Sequence, residues 1–198
     1  MIRVGVTGGI GSGKTEFCRI LSQFGAFVVS ADEIARELMS TEPSLRDAIS
    51  ATFGPDSYTS DGKLNRGYLA EQAFALGKVQ LLNDLVHPVV AQHIATLAES
   101  SRRTGCEVFV REAALLLDNG RPDDLDVVVW IDAPVDVRLS RASERDNSTP
   151  DLVRQRMVKQ RTLHDVSEFV DYVIHNDGSL EDLKLKARIF FDTLQTSK

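Results

Sequence analysis

The run Gly8-Gly9-Ile10-Gly11-Ser12-Gly13-Lys14-Thr15 constrains this chain more than any other stretch. It fills the pattern Gly-x-x-x-x-Gly-Lys-Ser/Thr completely. Ile2, Val4 and Val6 alternate ahead of it as a short strand, and Phe17, Ile20, Leu21 and Phe24 follow at helical spacing. A strand that turns through glycines into a helix aims successive backbone N–H groups, and the positive end of the helix dipole, at one point. Such a point suits phosphate. Glycine is needed because a Cβ would keep the backbone from wrapping around phosphate oxygens. The pattern therefore predicts a nucleoside triphosphate on the amides of Gly9, Gly11, Ser12 and Gly13, with Lys14 reaching the β- and γ-phosphates and Thr15 holding Mg²⁺.

The remaining pattern is α/β. Ala26–Val29, Glu107–Val110, Asp126–Asp132 and Tyr172–Ile174 read as further strands, the run 26–29 as a buried parallel one. Between residues 41 and 103 only helical patterns occur, with Leu45, Ala48 and Ile49 on one face, then Leu69 and Phe74, then Leu81 to Val86. His87-Pro88 predicts a break there, with Pro88 opening the next helix. Roughly sixty such residues are more than a crossover of about a dozen needs. The stretch reads as a helical subdomain inserted for a second substrate. Leu180, Leu183, Ala187, Phe190 and Leu194 line a last amphipathic helix.

Arg138, Arg141, Arg145, Arg154, Arg156, Lys159 and Arg161 form a basic stretch in a chain whose net charge is −6. Thr149 and Pro150 start its second helix as cap and first residue. Two readings fit: a solvated pair of charged helices, or a lid whose arginines meet phosphates. Arg141 and Arg145, spaced i, i+4, share a face. Asp32 follows a strand end, where α/β proteins collect ligands, and suits either a helix cap or a ligand-facing acid. Asn176 begins an Asn-Asp-Gly turn and serves either as that turn or as a reader of the adenine edge. Asp132 reads as a helix cap rather than a metal ligand.

The acidic balance argues against nucleic acid as a partner. No stretch has the length of a membrane span and no signal pattern opens the chain, so the expected location is cytoplasmic. Cys18 and Cys106, without metal-ligand spacing, read as reduced packing residues. A guanine-nucleotide switch is excluded because Asn-Lys-x-Asp is absent and no Asp has Gly three residues later. A small-molecule kinase remains.

Here the sequence closely resembles the dephospho-coenzyme A kinase family along nearly its whole length. The likeness lies in Thr7-Gly8-Gly9-Ile10, Ala31-Asp32-x-Ile34-Ala35-Arg36, Gly62-x-Leu64-x-Arg66-x-x-Leu69, Leu82-Asn83-x-Leu85-Val86-His87-Pro88 and Ile174-x-Asn176-Asp177-Gly178. Ser30 stands where that family carries a first Asp, Glu16 where it carries a second hydroxyl, and Ala114–Asp118 where it has Pro-Leu-Leu-x-Glu. The resemblance implies a three-layer P-loop kinase fold with a parallel five-stranded sheet. It implies a core over 1–40 and 104–198, a helical insertion over 41–103 and a lid over 141–163. ATP and Mg²⁺ are implied as cofactors and dephospho-CoA as the acceptor, phosphorylated at its ribose 3′-hydroxyl. Asp32, Lys14 and Arg141 become the catalytic set. Glu16, Arg145 and Asn176 join the nucleotide side, and Arg66 and His87 join Asp32 on the acceptor side. His87 keeps the alternative of marking a helix break. A kinase of another small metabolite, or an ATP-binding module without transfer, is the competing reading.

Overall fold

The computed structural model describes residues 1–75 and 77–196; the side chains of Phe74 and Ala75 are outside the description. The described chain separates into two compact units, residues 1–30 with 101–198, and residues 31–100.

The first unit is a five-stranded parallel sheet. Its strands are β1 (Ile2–Gly8), β2 (Phe27–Ser30), β3 (Val108–Glu112), β4 (Val127–Asp132) and β5 (Tyr172–His175), in the spatial order β2-β3-β1-β4-β5. The valine-rich runs of β1, β3 and β4 occupy the interior, where β-branched residues pack on both faces. Ala26–Val29 runs parallel to β3, as its apolar run suggests, but only Ala26 and Val29 are buried. β2 lies at the sheet edge, β3 separates it from β1, and Phe27 is 41% exposed. Its apolar character has a local cause: the Phe27 ring stacks on Phe109 of β3 at 5.7 Å.

In this unit the first helix is α1 (Lys14–Gln23) and the last is Leu180–Thr196. They share one core with the sheet: Phe17, Ile20 and Leu21 from one, Leu183, Ala187, Phe190, Phe191 and Leu194 from the other, against Val4, Val6, Val110 and Ile131. Leu180 does not belong to that lining. It is the first residue of its helix and 47% exposed, and Phe191 completes the buried stripe instead. Phe17 has no exposed surface, so its truncation to Ala costs about 3–5 kcal/mol. A second cluster, Leu117, Leu125, Val128, Trp130 and Val166, includes the alternate residues of β4. Two more helices of this unit bear on function, Val135–Asp146 and Pro150–Val158.

The second unit is helical, with α2 (Ala31–Thr41), α3 (Pro43–Phe53), α4 (Arg66–Ala75) and α5 (Val79–Arg103), whose last three residues belong to the first unit. In chain order the helices of the first unit are then α6 (Val135–Asp146), α7 (Pro150–Val158), α8 (Leu163–Val166) and α9 (Leu180–Thr196). Tyr58 ties the loop between α3 and α4 down: its hydroxyl donates to Met39 O at 2.7 Å and the Arg46 guanidinium lies over its ring.

His87-Pro88 does not interrupt the helical run. α5 is continuous over 25 residues with Pro88 inside it. An internal proline removes one N–H and costs about 3 kcal/mol against alanine. Burial of Val86, Val90, Ile94 and Ala98 along one stripe offsets that penalty. Both His87 and Pro88 are exposed.

Candidate functional site

β1 delivers the chain to Gly8, and α1 begins at Lys14. Between them the backbone makes a turn that only glycine tolerates at two points. Gly11 has φ 76° and a Cβ there would lie 2.1 Å from the Arg138 carbonyl oxygen. Gly13 caps α1 at φ 96°, and its Cβ would lie 2.2 Å from Asn176 Nδ2. The loop is thus wedged against the first turn of α6 on one side and the end of β5 on the other.

Its polar groups are sorted by this wedge. Ser12 N–H donates to Gly9 O at 3.1 Å, and Ile10 N–H to Gln160 Oε1 at 2.7 Å. The amides of Gly11 and Gly13 donate to no protein acceptor among the described residues. They stand beside the N-terminus of α1, where the helix dipole favours an anion. Lys14 Nζ donates to Gly8 O at 2.9 Å and Gly9 O at 3.2 Å, which brings its charge back over the loop.

Thr15 Oγ1 donates to Glu112 Oε1 at 2.8 Å. Glu112 ends β3 and is in register with Val6 of β1, so the strand order brings a carboxylate to the phosphate-loop threonine. Nothing in the linear pattern around Glu112 singles it out. Its signal was position at a strand end, which becomes informative once β3 is known to neighbour β1. Glu16 turns to Arg19, at 2.6 Å, and that guanidinium lowers its carboxyl pKa.

The arginines of α6 divide. Arg138 lies on the loop itself: a Cβ on Gly9 would be 2.6 Å from its guanidinium carbon. It is half-buried, makes no ion pair among the described residues, and its Nε has no hydrogen-bond partner. Burial pushes its pKa down, against the milder pull of Asp132. A cation so placed is complementary to an anionic ligand. Arg138 falls on the face of Arg141 and Arg145, at i, i+3 and i+7, and that periodicity is the signal that would have found it. Arg141 Nη1 donates to Asn176 O at 3.1 Å. Arg145 grips Asp146 through Nε at 2.7 Å and Nη2 at 3.1 Å, while Arg156 of α7 reaches the same carboxylate at 2.6 Å. These cations hold Asp146 at a pKa of about 2. Thr149 caps α7 through Leu152 N, as its sequence predicts.

Asn176 is 6% exposed and its Nδ2 donates to Ser12 O at 2.8 Å. Asp132 is not a helix cap, since Pro134 occupies that position of α6. It ends β4, with its carboxylate 3.5 Å from His175 Nδ1. The cause is a longer strand-to-helix connection than the spacing suggests. Cys18 is buried among apolar neighbours, which raises its thiol pKa, and Cys106 is partly buried; both are free.

The first unit therefore brings together Lys14, Thr15, Glu112, Arg138, Arg141 and Asn176. Of the other sequence candidates, Glu16 and Arg145 also lie in the first unit but are turned to Arg19 and Asp146, while three belong to the second unit. Asp32 is in the first turn of α2, Arg66 is the first residue of α4, and His87 is on α5; all three are exposed. An acid in the first turn complements the helix dipole without occupying the cap.

Residues 2–182 match the family model described as dephospho-CoA kinase. The dephospho-CoA kinase of Salinibacter ruber is 40% identical over 188 residues, covering 94% of each chain. A solved structure from Thermus thermophilus superposes with a TM-score of 0.79 at 26% identity, covering 98% of this chain and 97% of that one. A solved dephospho-CoA kinase from Campylobacter jejuni shares the fold at a TM-score of 0.63 and 22% identity, over 97% of this chain and 96% of the other.

Proposed function

The chain belongs to the dephospho-CoA kinase family, and from that membership we propose that it transfers the γ-phosphoryl group of ATP to the ribose 3′-hydroxyl of dephospho-CoA, yielding ADP and coenzyme A. The observation that carries the reading is the Gly11 and Gly13 amides at the start of α1, without a protein acceptor among the described residues, with Lys14 folded beside them. This is a donor array for a polyphosphate.

Each residue then has a chemical task. The loop amides and Lys14 fix the β- and γ-phosphates. Arg138, Arg141 and Arg145 add cations for the charge that spreads over the moving phosphoryl group. Asp32, two residues beyond β2, takes the proton of the 3′-hydroxyl as its oxygen bonds to the γ-phosphorus. The bond from that phosphorus to the β,γ-bridging oxygen breaks, and the electron pair leaves on ADP. Asn176 works on the nucleotide side together with Glu16, and Arg66 and His87 bind the acceptor.

The hydroxyl of Thr15 and the carboxylate of Glu112 are hard oxygen donors already in contact, a set that fits Mg²⁺. No cluster of three or more His, Cys, Asp or Glu side chains that could hold a metal occurs among the described residues. Mg²⁺ takes one or two protein ligands and completes its shell with phosphates and water. When bound, the ion neutralises charge on the phosphate oxygens.

No described helix is long and apolar enough to cross a membrane. We place the reaction in the cytoplasm, where two free thiols persist.

ADP release measured side by side with dephospho-CoA, adenosine and shikimate tests the assignment. Release that depends on dephospho-CoA is expected. Release with either other alcohol in its place, or ATP binding without turnover, overturns it.

A further inference from the structure

We infer that Asn176 is a positioning residue for the nucleotide's phosphates, acting through the orientation of one peptide in the loop; this rests on the nucleotide reading above. Asn176 is held at three points. Its N–H donates to Asp132 O at 2.7 Å, its carbonyl accepts from Arg141 Nη1, and its side-chain amide donates to Ser12 O at 2.8 Å. The amide is buried, with Nδ2 filling the space where a Gly13 Cβ would be.

The consequence follows from peptide geometry. In a trans peptide the C=O of one residue and the N–H of the next point in opposite directions. The Ser12 carbonyl faces Asn176, so the Gly13 N–H faces away from it. That N–H is among the loop amides without a protein acceptor among the described residues. The same hydrogen bond that satisfies a buried carbonyl therefore presents a donor to the anion.

The backbone torsions of Gly13 do not by themselves enforce this orientation. Gly13 lies in the left-handed region, where glycine tolerates rotation of the preceding peptide at little cost. Without a donor at position 176, the Ser12 carbonyl is left buried and unsatisfied. It gains by swinging outward, which places a partial negative charge where a phosphate oxygen must sit. Asn176 thus acts on the phosphates rather than on the base, although neither of its amide atoms touches them.

Asn176→Asp separates this role from base reading. The variant keeps size and shape and replaces the donor with an acceptor. Binding of inorganic pyrophosphate, ADP and adenosine is measured by calorimetry for wild type and variant, with thermal melts as the check on folding. The expected result is a loss of about tenfold or more for pyrophosphate and ADP alike, with adenosine affinity unchanged. Lowering the pH protonates the new carboxyl and restores its donor, so the deficit relative to wild type narrows as pH falls. Equal pyrophosphate affinity in both proteins overturns the inference, as does a loss confined to adenosine and ADP. Wild-type protein that binds neither ADP nor pyrophosphate removes the nucleotide reading and this inference with it.

The wild type supplies a second measurement should the variant not fold. In ¹⁵N-labelled protein, pyrophosphate shifts the Gly13 amide resonance strongly while the Asn176 side-chain amide protons stay protected from exchange. A Gly13 resonance that does not respond to pyrophosphate contradicts the assignment.

Discussion

The phosphate loop and the proposed acceptor residues of the helical unit are built by different means. The loop is a backbone site: its donors are peptide N–H groups, and its shape is enforced by Arg138, Asn176 and Gln160 pressed against it. Asp32, Arg66 and His87 are side chains on helix surfaces, exposed to solvent. A backbone site needs particular residues at fixed spacing, so it leaves a signature in the sequence. A surface site needs only the right group at the right point in space.

The sharpest break between the two regions comes from Asp32→Asn. Turnover is expected to fall about 10²–10⁴-fold, the usual contribution of a positioned base, while ATP affinity stays near wild type. A variant with full turnover removes Asp32 from the chemistry. Loss of ATP affinity instead merges the two regions.

That contrast also explains what the sequence made legible. The motif 8–15, the β-branched runs of β1 and β4 and the Thr149 cap are local, and all stand where their residues predict. The fate of Pro88 was hidden, because the apolar stripe that sustains α5 outweighs a local breaker. The edge position of β2 was hidden too, since Phe27 owes its apolar character to one partner, Phe109. Glu112 and Arg138 reach the loop through strand order and helix face, neither of which a linear reading of charge displays.

Arg138→Leu probes the loop side. Removing a half-buried cation from the loop is expected to weaken ATP binding about tenfold while leaving the KM for dephospho-CoA unchanged. Unaltered ATP affinity assigns Arg138 to packing.

Pro88→Ala tests the helical unit by itself. Alanine restores the missing N–H inside α5, and stability is expected to rise by about 1–3 kcal/mol, read as a higher Tm with unchanged turnover. A lower Tm shows that the pyrrolidine ring packs against something the helix needs.

The smallest effect lies at the junction of α6 and α7. Asp146 titrates near pH 2 when folded, below its ordinary value of 3.8, because Arg145 and Arg156 bind its ionised form. Its stabilisation is therefore complete above about pH 4 and is lost as pH falls toward 2. The Tm difference between wild type and Asp146→Asn is expected to close over that interval. A gap that persists at pH 2 means the carboxylate contributes by packing or hydrogen bonding rather than by charge.

The most direct test of the transfer itself uses dephospho-CoA whose ribose lacks the 3′-hydroxyl. With that analogue saturating, ADP release is expected to drop to the slow rate of ATP hydrolysis by water, although the analogue still competes with dephospho-CoA. ADP release at the full rate would contradict the account, because the phosphoryl group would then be going to some other acceptor.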